Sequence, residues 1–241
     1  MINAVRALFF WIGFLATAVP YGLLAVLLWL LRVPFRTRFN LLTTWGTFSI
    51  FWLHLTCGVR WRVIGAENIT EQAGVLLANH QSTWETLFLQ RLFRPQAWVL
   101  KESLLRIPFF GWGLRALDPV AIDRGQRRRA LRQIVEQGSR LVEQGRWVVV
   151  FPEGTRLAAG QTRRWGTGGA SLAVAARCPV IPLAHDAGRF WPRGGLVPRA
   201  GTSTITIGPP ITVEGRTADE ITREARNWVE SHRADLPPPP R

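Results

Sequence analysis

The chain has 241 residues, with 30 Lys and Arg against 16 Asp and Glu, so its formal net charge is +14. This length suggests one domain with an appendage, and 47% hydrophobic residues exclude a disordered chain. The only two cysteines, Cys57 and Cys178, exclude a disulfide framework and indicate a reducing compartment. The positive charge indicates an anionic partner, which could be nucleic acid, a membrane surface or a phosphorylated substrate.

The composition changes near residue 65. The first 66 residues contain no Asp or Glu, and all 16 acidic residues follow from Glu67 onward. We therefore expect a membrane-associated helical hairpin over residues 1–64, an α/β domain over residues 65–235 and a Pro-rich tail over residues 236–241.

Two uncharged stretches form the predicted hairpin. Residues 7–31 are 25 positions without a charge, and as a helix they would extend roughly 37 Å, more than the roughly 30 Å core of a bilayer. Residues 39–59 have an apolar stripe at helical spacing, which predicts an amphipathic helix in the membrane interface. The stripe consists of Leu41, Trp45, Phe48, Trp52, Leu55 and Val59. Two buried helices of a soluble protein remain the alternative.

The basic residues between these stretches bear on topology. If both stretches crossed the membrane, Arg32, Arg36 and Arg38 would lie on the side opposite to the rest of the chain. The positive-inside rule would then put an Arg-rich, Cys-poor domain outside the cytoplasm. A hairpin that dips into the cytoplasmic leaflet avoids this conflict. We therefore expect a protein of the inner membrane whose C-terminal domain faces the cytoplasm.

After residue 60, short apolar runs alternate with helical patterns. This alternation predicts an α/β fold with a central, mostly parallel or mixed sheet and helices on both faces. The predicted strands are 60–64, 75–78, 97–100, 120–122, 147–151, 180–183 and 202–207, and the predicted helices are 84–92, 126–143, 169–176 and 218–231.

The segment 79–85 (NHQSTWE) directly follows a predicted strand. Its His80 would lie at the edge of the sheet where α/β proteins bind ligands. Glu85 can reach one imidazole nitrogen and leave the other as a general base. Ser82 and Glu85 also match a helix capping box, which would account for both residues without catalysis. The two interpretations are compatible, because a cap fixes the geometry that a dyad needs.

Candidate phosphate ligands follow two other strands. The block 151–156 (FPEGTR) ends in Arg156, whose guanidinium can bind phosphate with two hydrogen bonds. Arg124 stands at the end of a shorter strand and is a second candidate. The apolar segment 107–113 could line a groove for a lipid chain or belong to the core. His54 and Cys57 have no partner pair nearby, so we expect no metal site.

In this order and spacing, the motifs resemble those of the glycerolipid acyltransferases, the 1-acylglycerol-3-phosphate acyltransferase family, over residues 74–183. The resemblance implies that His80 and Glu85 are the catalytic dyad, although Glu85 stands where the family usually has Asp. It also implies an acyltransferase domain at 65–235 and a set of substrate-binding residues. These are Lys101, Arg124, Glu153, Gly154, Thr155 and Arg156.

The same resemblance implies an activity. Acyl-CoA or acyl-carrier protein would donate an acyl chain to the free hydroxyl of 1-acyl-sn-glycerol 3-phosphate, which makes phosphatidic acid for phospholipid biosynthesis. His80 would act as the general base, with no acyl-enzyme and with no cofactor besides the donor. The expected partners are membrane lipids, lysophosphatidic acid and the donor, and nucleic acid is not among them.

Two alternatives stay open. An acyltransferase of the same fold could use glycerol 3-phosphate, another lysophospholipid or a lyso-aminolipid as acceptor. A non-enzymatic, membrane-anchored protein could bind anions through its arginines, for which the Arg run at 127–129 gives slight support. Acidic residues are interleaved with the basic ones, and no nucleic-acid-binding motif is present.

Overall fold

The computed structural model describes residues 2–123 and 125–234. Arg124 and the expected tail at 236–241 lie outside these residues. The helices are α1 (Ile2–Leu30), α2 (Phe35–Leu42), α3 (Thr44–Cys57), α4 (Trp84–Leu92), α5 (Phe110–Ala116), α6 (Arg127–Glu143), α7 (Gly168–Ala176) and α8 (Ala218–Ala234). The strands are β1 (Val59–Ile64), β2 (Val75–Ala78), β3 (Gln96–Lys101), β4 (Val120–Ile122), β5 (Trp147–Val150), β6 (Val180–His185) and β7 (Gly201–Ile207).

The seven strands form one mixed sheet in the order β1-β7-β6-β2-β5-β3-β4. β6 and β7 are antiparallel, and the other neighbouring pairs are parallel. All seven predicted strands are present, with ends within two residues of the prediction, so the expected α/β class is confirmed. The sequence did not predict α5, because Gly111 and Gly113 both disfavour a helix, and its packing against α1 depends on the tertiary fold.

The central strands are buried on both faces, as their unbroken apolar runs require. Alternate residues of β2 point to opposite sides, so Leu76 and Ala78 belong to one core and Val75 and Leu77 belong to the other. The first core is covered by α1, α3, α4 and α5, and the second is covered by α6, α7 and α8. Helices therefore cover both faces, as expected.

The N-terminal helices pack against the α/β layer. α1 contacts α3 and α5, and α3 contacts α4. Two indole N–H groups fasten α3 to α1: Trp45 donates to Oγ1 of Thr17 at 3.0 Å and Trp52 donates to the carbonyl of Phe9 at 3.1 Å. Among the described residues, α1 is the one helix that is long and apolar enough to cross a bilayer.

The second predicted helix of the hairpin is divided at Thr43 into α2 and α3. Two residues of its predicted apolar stripe, Leu41 and Leu55, are exposed. The buried face of α3 consists instead of Gly46, Ser49, Ile50, Leu53 and Cys57. The sheet begins at β1, before the expected boundary at residue 65, and the proposed division into a hairpin and a domain stays a prediction.

Candidate active site

Four neighbouring strands, β6, β2, β5 and β3, run parallel to one another, so their carboxyl ends meet at one edge of the sheet. The chain leaves this edge at His185 after β6, at His80 after β2, at Phe151 after β5 and at Lys101 after β3. The sheet order thus brings together segments that are far apart in the sequence. In α/β proteins this edge is the usual place for a ligand.

His80 and Glu85 form a pair. Nδ1 of His80 lies 2.8 Å from Oε1 of Glu85, which is buried in the first turn of α4. An ionised carboxylate accepts a hydrogen bond, so Nδ1 of a neutral imidazole carries the proton and Nε2 has a free lone pair. The ring of Phe151 stacks on the imidazole at 4.0 Å between centroids and fixes its plane. This arrangement can perform general-base chemistry.

The capping interpretation of Glu85 describes the same atoms. Oε1 of Glu85 also accepts the backbone N–H groups of Gln81 at 2.9 Å and Ser82 at 2.8 Å, and Oγ of Ser82 accepts the N–H of Trp84. Burial pushes the pKa of Glu85 upward, but nearby His185 and the hydrogen bond with His80 outweigh it and lower the pKa to about 2. The helix cap and the dyad therefore use one ionised carboxylate.

Hydrogen bonds between Asn79 and His185 fix the start of the segment 79–85. The amide of Asn79 donates to the carbonyl of His185 and its Oδ1 accepts the N–H of His185, each at 3.0 Å. Nε2 of His185 lies 2.6 Å from the carbonyl oxygen of Asn79 and 3.9 Å from Oε1 of Glu85. Burial lowers the pKa of His185. Asn79 and His185 thus fasten β2 to β6 directly behind the dyad.

The block 151–156 holds the backbone of His80. Oε2 of Glu153 accepts the N–H of His80 at 2.8 Å, and the N–H of Leu157 donates to the carbonyl of His80 at 2.8 Å. Burial raises the pKa of Glu153 to about 7, against the opposing effects of the His80 N–H and of Arg233. Gly154 turns the chain here with a φ of +72°, which favours glycine. Glu153 therefore fixes the backbone at His80.

Arg156 is brought to the same edge. Its Nη1 donates to Oγ1 of Thr83 at 3.1 Å, so the guanidinium lies beside the start of α4. Thr155 accepts a hydrogen bond from Nη1 of Arg193 at 3.3 Å. The two arginines give this edge the positive charge that a phosphate needs.

An apolar cavity adjoins these groups. His80, Lys101 and Arg156 line it together with side chains from α1, α3, α4, β3 and α5. Its apolar wall includes Ala18, Trp45, Leu87, Phe110, Leu114 and Leu117. A lipid chain matches such a lining, because burial of methylene groups is favourable. The segment 107–113 therefore contributes residues to the cavity wall, which was one of its two expected positions.

The structure thus brings His80, Glu85, Glu153 and Arg156 together, and Lys101 reaches the cavity from the end of β3. Gly154 and Thr155 lie in the connecting loop, and the catalytic and binding roles of all these residues stay predictions. Arg124 is outside the described residues. Within the described residues, no three His, Cys, Asp or Glu side chains cluster as metal ligands would.

Several neighbours of the site were not expected from the sequence. Phe151 stood in the block 151–156 without an assigned role, and His185 follows the predicted strand 180–183, where a histidine at the end of a buried strand was a usable signal. Arg193 and Arg233 had no local signal, because each reaches the site from a segment that is distant in the sequence. The contribution of α1 to the cavity was also not visible from its apolar composition.

Comparison with known proteins bears on this site. A family model described as acyltransferase matches residues 60–186. A 1-acyl-sn-glycerol-3-phosphate acyltransferase from Pseudomonas aeruginosa is 41% identical to this chain, and the alignment covers 98% of this chain and 93% of that protein. A protein of the same name from Saccharomyces cerevisiae is 30% identical over 187 residues, with 75% of this chain and 61% of the yeast protein covered.

A solved structure shows the same fold. The crystal structure of the 1-acyl-sn-glycerophosphate acyltransferase from Thermotoga maritima matches with a TM-score of 0.80 and 24% identity over 97% of this chain and 95% of that one. The family model covers more than half of the chain, and the Pseudomonas protein is similar along nearly all of it. This chain therefore belongs to the acyltransferase family and is an enzyme of that class.

Proposed function

We propose that the protein transfers an acyl chain from a thioester donor, acyl-CoA or acyl-carrier protein, to the free hydroxyl of 1-acyl-sn-glycerol 3-phosphate. The products are phosphatidic acid and a free thiol. The observation that carries this proposal is that the paired His80 and the cation of Arg156 line one apolar cavity. The names of the Pseudomonas and yeast relatives support the same acceptor.

The geometry supports direct transfer. Nε2 of His80 removes the proton of the acceptor hydroxyl as its oxygen attacks the thioester carbonyl. A C–O bond forms, the C–S bond breaks, and the proton passes from the imidazolium to the departing thiolate. Ionised Glu85 stabilises the transient imidazolium at 2.8 Å. General-base assistance of this kind contributes about 10²- to 10⁴-fold.

Arg156 positions the acceptor molecule through its phosphate. A phosphate held by its guanidinium keeps the acceptor hydroxyl of the same molecule close to His80, and such positioning lowers the barrier by several kcal/mol. Lys101 and Arg193 lie near enough to add positive charge at the same edge. The apolar cavity takes an acyl chain and excludes water from the reacting atoms.

The thiols of the protein are poor candidates for an acyl-enzyme. Cys57 and Cys178 are both buried, and burial raises the pKa of each thiol, to about 11 for Cys178. A thiol is a nucleophile only as its thiolate. Neither cysteine lines the cavity.

The surface of α1 supports action at a membrane. Apolar side chains along this helix are exposed, and they include Leu8, Phe9, Ile12, Leu15, Leu23 and Leu27. The loop between β6 and β7, which contacts α1 at Trp11, also exposes Leu196 and Val197. We propose that these residues enter the cytoplasmic leaflet of the inner membrane, where the acceptor lies and where a cytoplasmic thioester can reach the site.

An acceptor panel tests the proposal. The purified protein in detergent is mixed with a long-chain acyl-CoA or acyl-carrier protein, and thiol release is measured with 1-acyl-sn-glycerol 3-phosphate, glycerol 3-phosphate, lysophosphatidylcholine or monoacylglycerol. We expect release that depends on 1-acyl-sn-glycerol 3-phosphate. A preference for another acceptor would assign the fold a different substrate, and release with none of them would contradict acyl transfer to these lipids.

Two variants complete the panel. His80→Ala should reduce thiol release about 10²- to 10⁴-fold, whereas a Cys57→Ala, Cys178→Ala double variant should retain it. Near-normal activity in His80→Ala would refute the general base. Complete loss in a folded double cysteine variant would indicate a thiol nucleophile instead.

A further inference from the structure

We propose that Arg233, in the last turn of α8, is a positioning residue for acyl transfer: it holds the carboxylate of Glu153, which in turn holds the backbone of His80. This inference rests on the proposed function and extends the site to the C-terminal helix. Arg233 belongs to none of the motifs that the sequence presents.

The contacts of Arg233 reach two points of one loop. Its Nη1 lies 3.7 Å from Oε1 of Glu153, and its Nη2 donates to the carbonyl of Gln161 at 3.0 Å. The guanidinium therefore joins the start of the loop after β5 to its middle. Because the side chain is only 10% exposed, the ion pair is largely shielded from solvent.

The loop in turn holds His80 from both sides. The N–H of His80 donates to Oε2 of Glu153, and the carbonyl of His80 accepts the N–H of Leu157. The loop is closed by the N–H of Gly166, which donates to the carbonyl of Pro152 at 2.9 Å. A displacement of the Glu153 carboxylate thus moves the backbone that carries the base.

The positive charge of Arg233 affects the protonation state of Glu153. Glu153 is only 4% exposed, and burial raises its pKa to about 7. Arg233 and the N–H of His80 oppose that rise, whereas Glu85 and Glu230 add to it. Loss of the Arg233 cation raises the pKa of Glu153 further. At neutral pH more of the carboxyl is then protonated, and a protonated carboxyl is a weaker acceptor for the His80 N–H.

The test compares Arg233→Gln with Arg233→Lys, which keeps the charge. The matched control is Arg223→Gln, the same change at an exposed position about 15 Å away along α8. The kcat and KM for 1-acyl-sn-glycerol 3-phosphate are measured from about pH 6 to about pH 9. A positioning role through Glu153 predicts a pH-dependent loss, whereas a purely structural role predicts a uniform one.

We expect Arg233→Gln to lower kcat about tenfold below neutral pH and to approach the wild-type value in alkaline solution. KM should change less than kcat, Arg233→Lys should recover most of the loss, and Arg223→Gln should behave as the wild type. An unchanged profile for Arg233→Gln would overturn the proposal. An equal loss of kcat in Arg233→Gln at every pH, accompanied by a lower Tm, would also overturn the proposal.

A readout that needs no acyl transfer separates this inference from the proposed function. The rate at which diethyl pyrocarbonate modifies His80 is followed by mass spectrometry against pH. Arg233→Gln should shift that pH profile and Arg223→Gln should not. If the wild type fails to transfer acyl groups but the shift occurs, the proposed function is wrong and the coupling of Arg233 to His80 stands. If the shift is absent, the positioning role is wrong.

Discussion

Nδ1 of His80 lies 2.8 Å from Oε1 of Glu85, and this same oxygen accepts the backbone N–H groups of Gln81 and Ser82. The four residues between His80 and Glu85 therefore fold around this carboxylate. The start of α4 and the proposed catalytic pair share one carboxylate, so we expect a change at Glu85 to affect both the activity and the fold.

Replacement of Glu85 by Gln should lower kcat about 10²- to 10³-fold, because the amide cannot stabilise the imidazolium as the carboxylate does. Glu85→Asp keeps the charge but is shorter by one methylene, so it should retain intermediate activity. Thiol release under saturating acceptor measures both. Equal activity of Glu85→Gln and the wild type would exclude a catalytic role for the charge.

The stability of Glu85→Gln independently tests whether Glu85 is ionised in the folded protein. The pKa of Glu85 is about 2 against an ordinary value of 4.5, so the ionised form stabilises the fold above about pH 4.5. That contribution disappears as the pH falls from about 4.5 to about 2. The Tm of Glu85→Gln should therefore be below that of the wild type at neutral pH, and the difference should narrow in acid.

Glu153 should make the acid limb of activity steep. With its pKa at about 7, Glu153 loses its charge as the pH falls below neutral, so log(kcat/KM) should fall more steeply there in the wild type than in Glu153→Gln. Glu153→Gln keeps an acceptor oxygen but cannot titrate. Equal slopes of the two proteins below neutral pH would contradict the participation of Glu153.

Arg156 should control recognition of the phosphate. A lost hydrogen bond to a charged group costs about 1.5–3 kcal/mol, so Arg156→Gln should raise the KM for 1-acyl-sn-glycerol 3-phosphate about 10- to 100-fold. Arg156→Lys should give a smaller rise, because it keeps the charge without the fork. The control Thr83→Val removes only the partner of the 3.1 Å contact. If Arg156→Gln also impaired transfer to monoacylglycerol equally, the phosphate assignment would be wrong.

The size of the residue at position 113 should determine the length of acyl chain that the cavity accepts. This residue lines the cavity on α5, and a Cβ atom built there meets no atom within 4 Å. Gly113→Leu should fill part of the cavity, so transfer of long chains should fall relative to short ones. Gly113→Ala is the control and should keep the wild-type preference. Competition between donors of different chain length provides the measurement, and an unchanged preference in Gly113→Leu would place the acyl chain elsewhere.

The loop after β6 should contribute to membrane binding. Leu196 is 71% exposed, and its carbonyl accepts the indole N–H of Trp11 on α1 at 2.7 Å, so the loop lies beside the exposed face of that helix. A Leu196→Asp, Val197→Asp double variant should weaken binding to phosphatidylethanolamine–phosphatidylglycerol vesicles about tenfold or more. Leu131→Asp, on the opposite side of the sheet, is the control. Equal flotation of all three proteins would exclude this loop from the interface.

The sequence by itself determined the positions of the seven strands and indicated that His80 and Glu85 lie together. The strands were visible because each buried run of Val, Leu and Ile is short and bounded, and the helix 126–143 was visible from its apolar stripe. The pairing of His80 with Glu85 was also accessible, because five residues at the start of a helix bring the two side chains together without help from distant segments.

Only the tertiary structure decided the rest. The strand order, with β7 antiparallel to β6, depends on hydrogen bonds between distant segments, which local periodicity does not encode. That order brings the block 151–156 to His80 and lets Arg193 and Arg233 reach the same loop. It also packs α1 and α5 together as two walls of the cavity. An arginine or an apolar helix looks the same in sequence whether it meets solvent, lipid or an active site; its partners in the fold determine which.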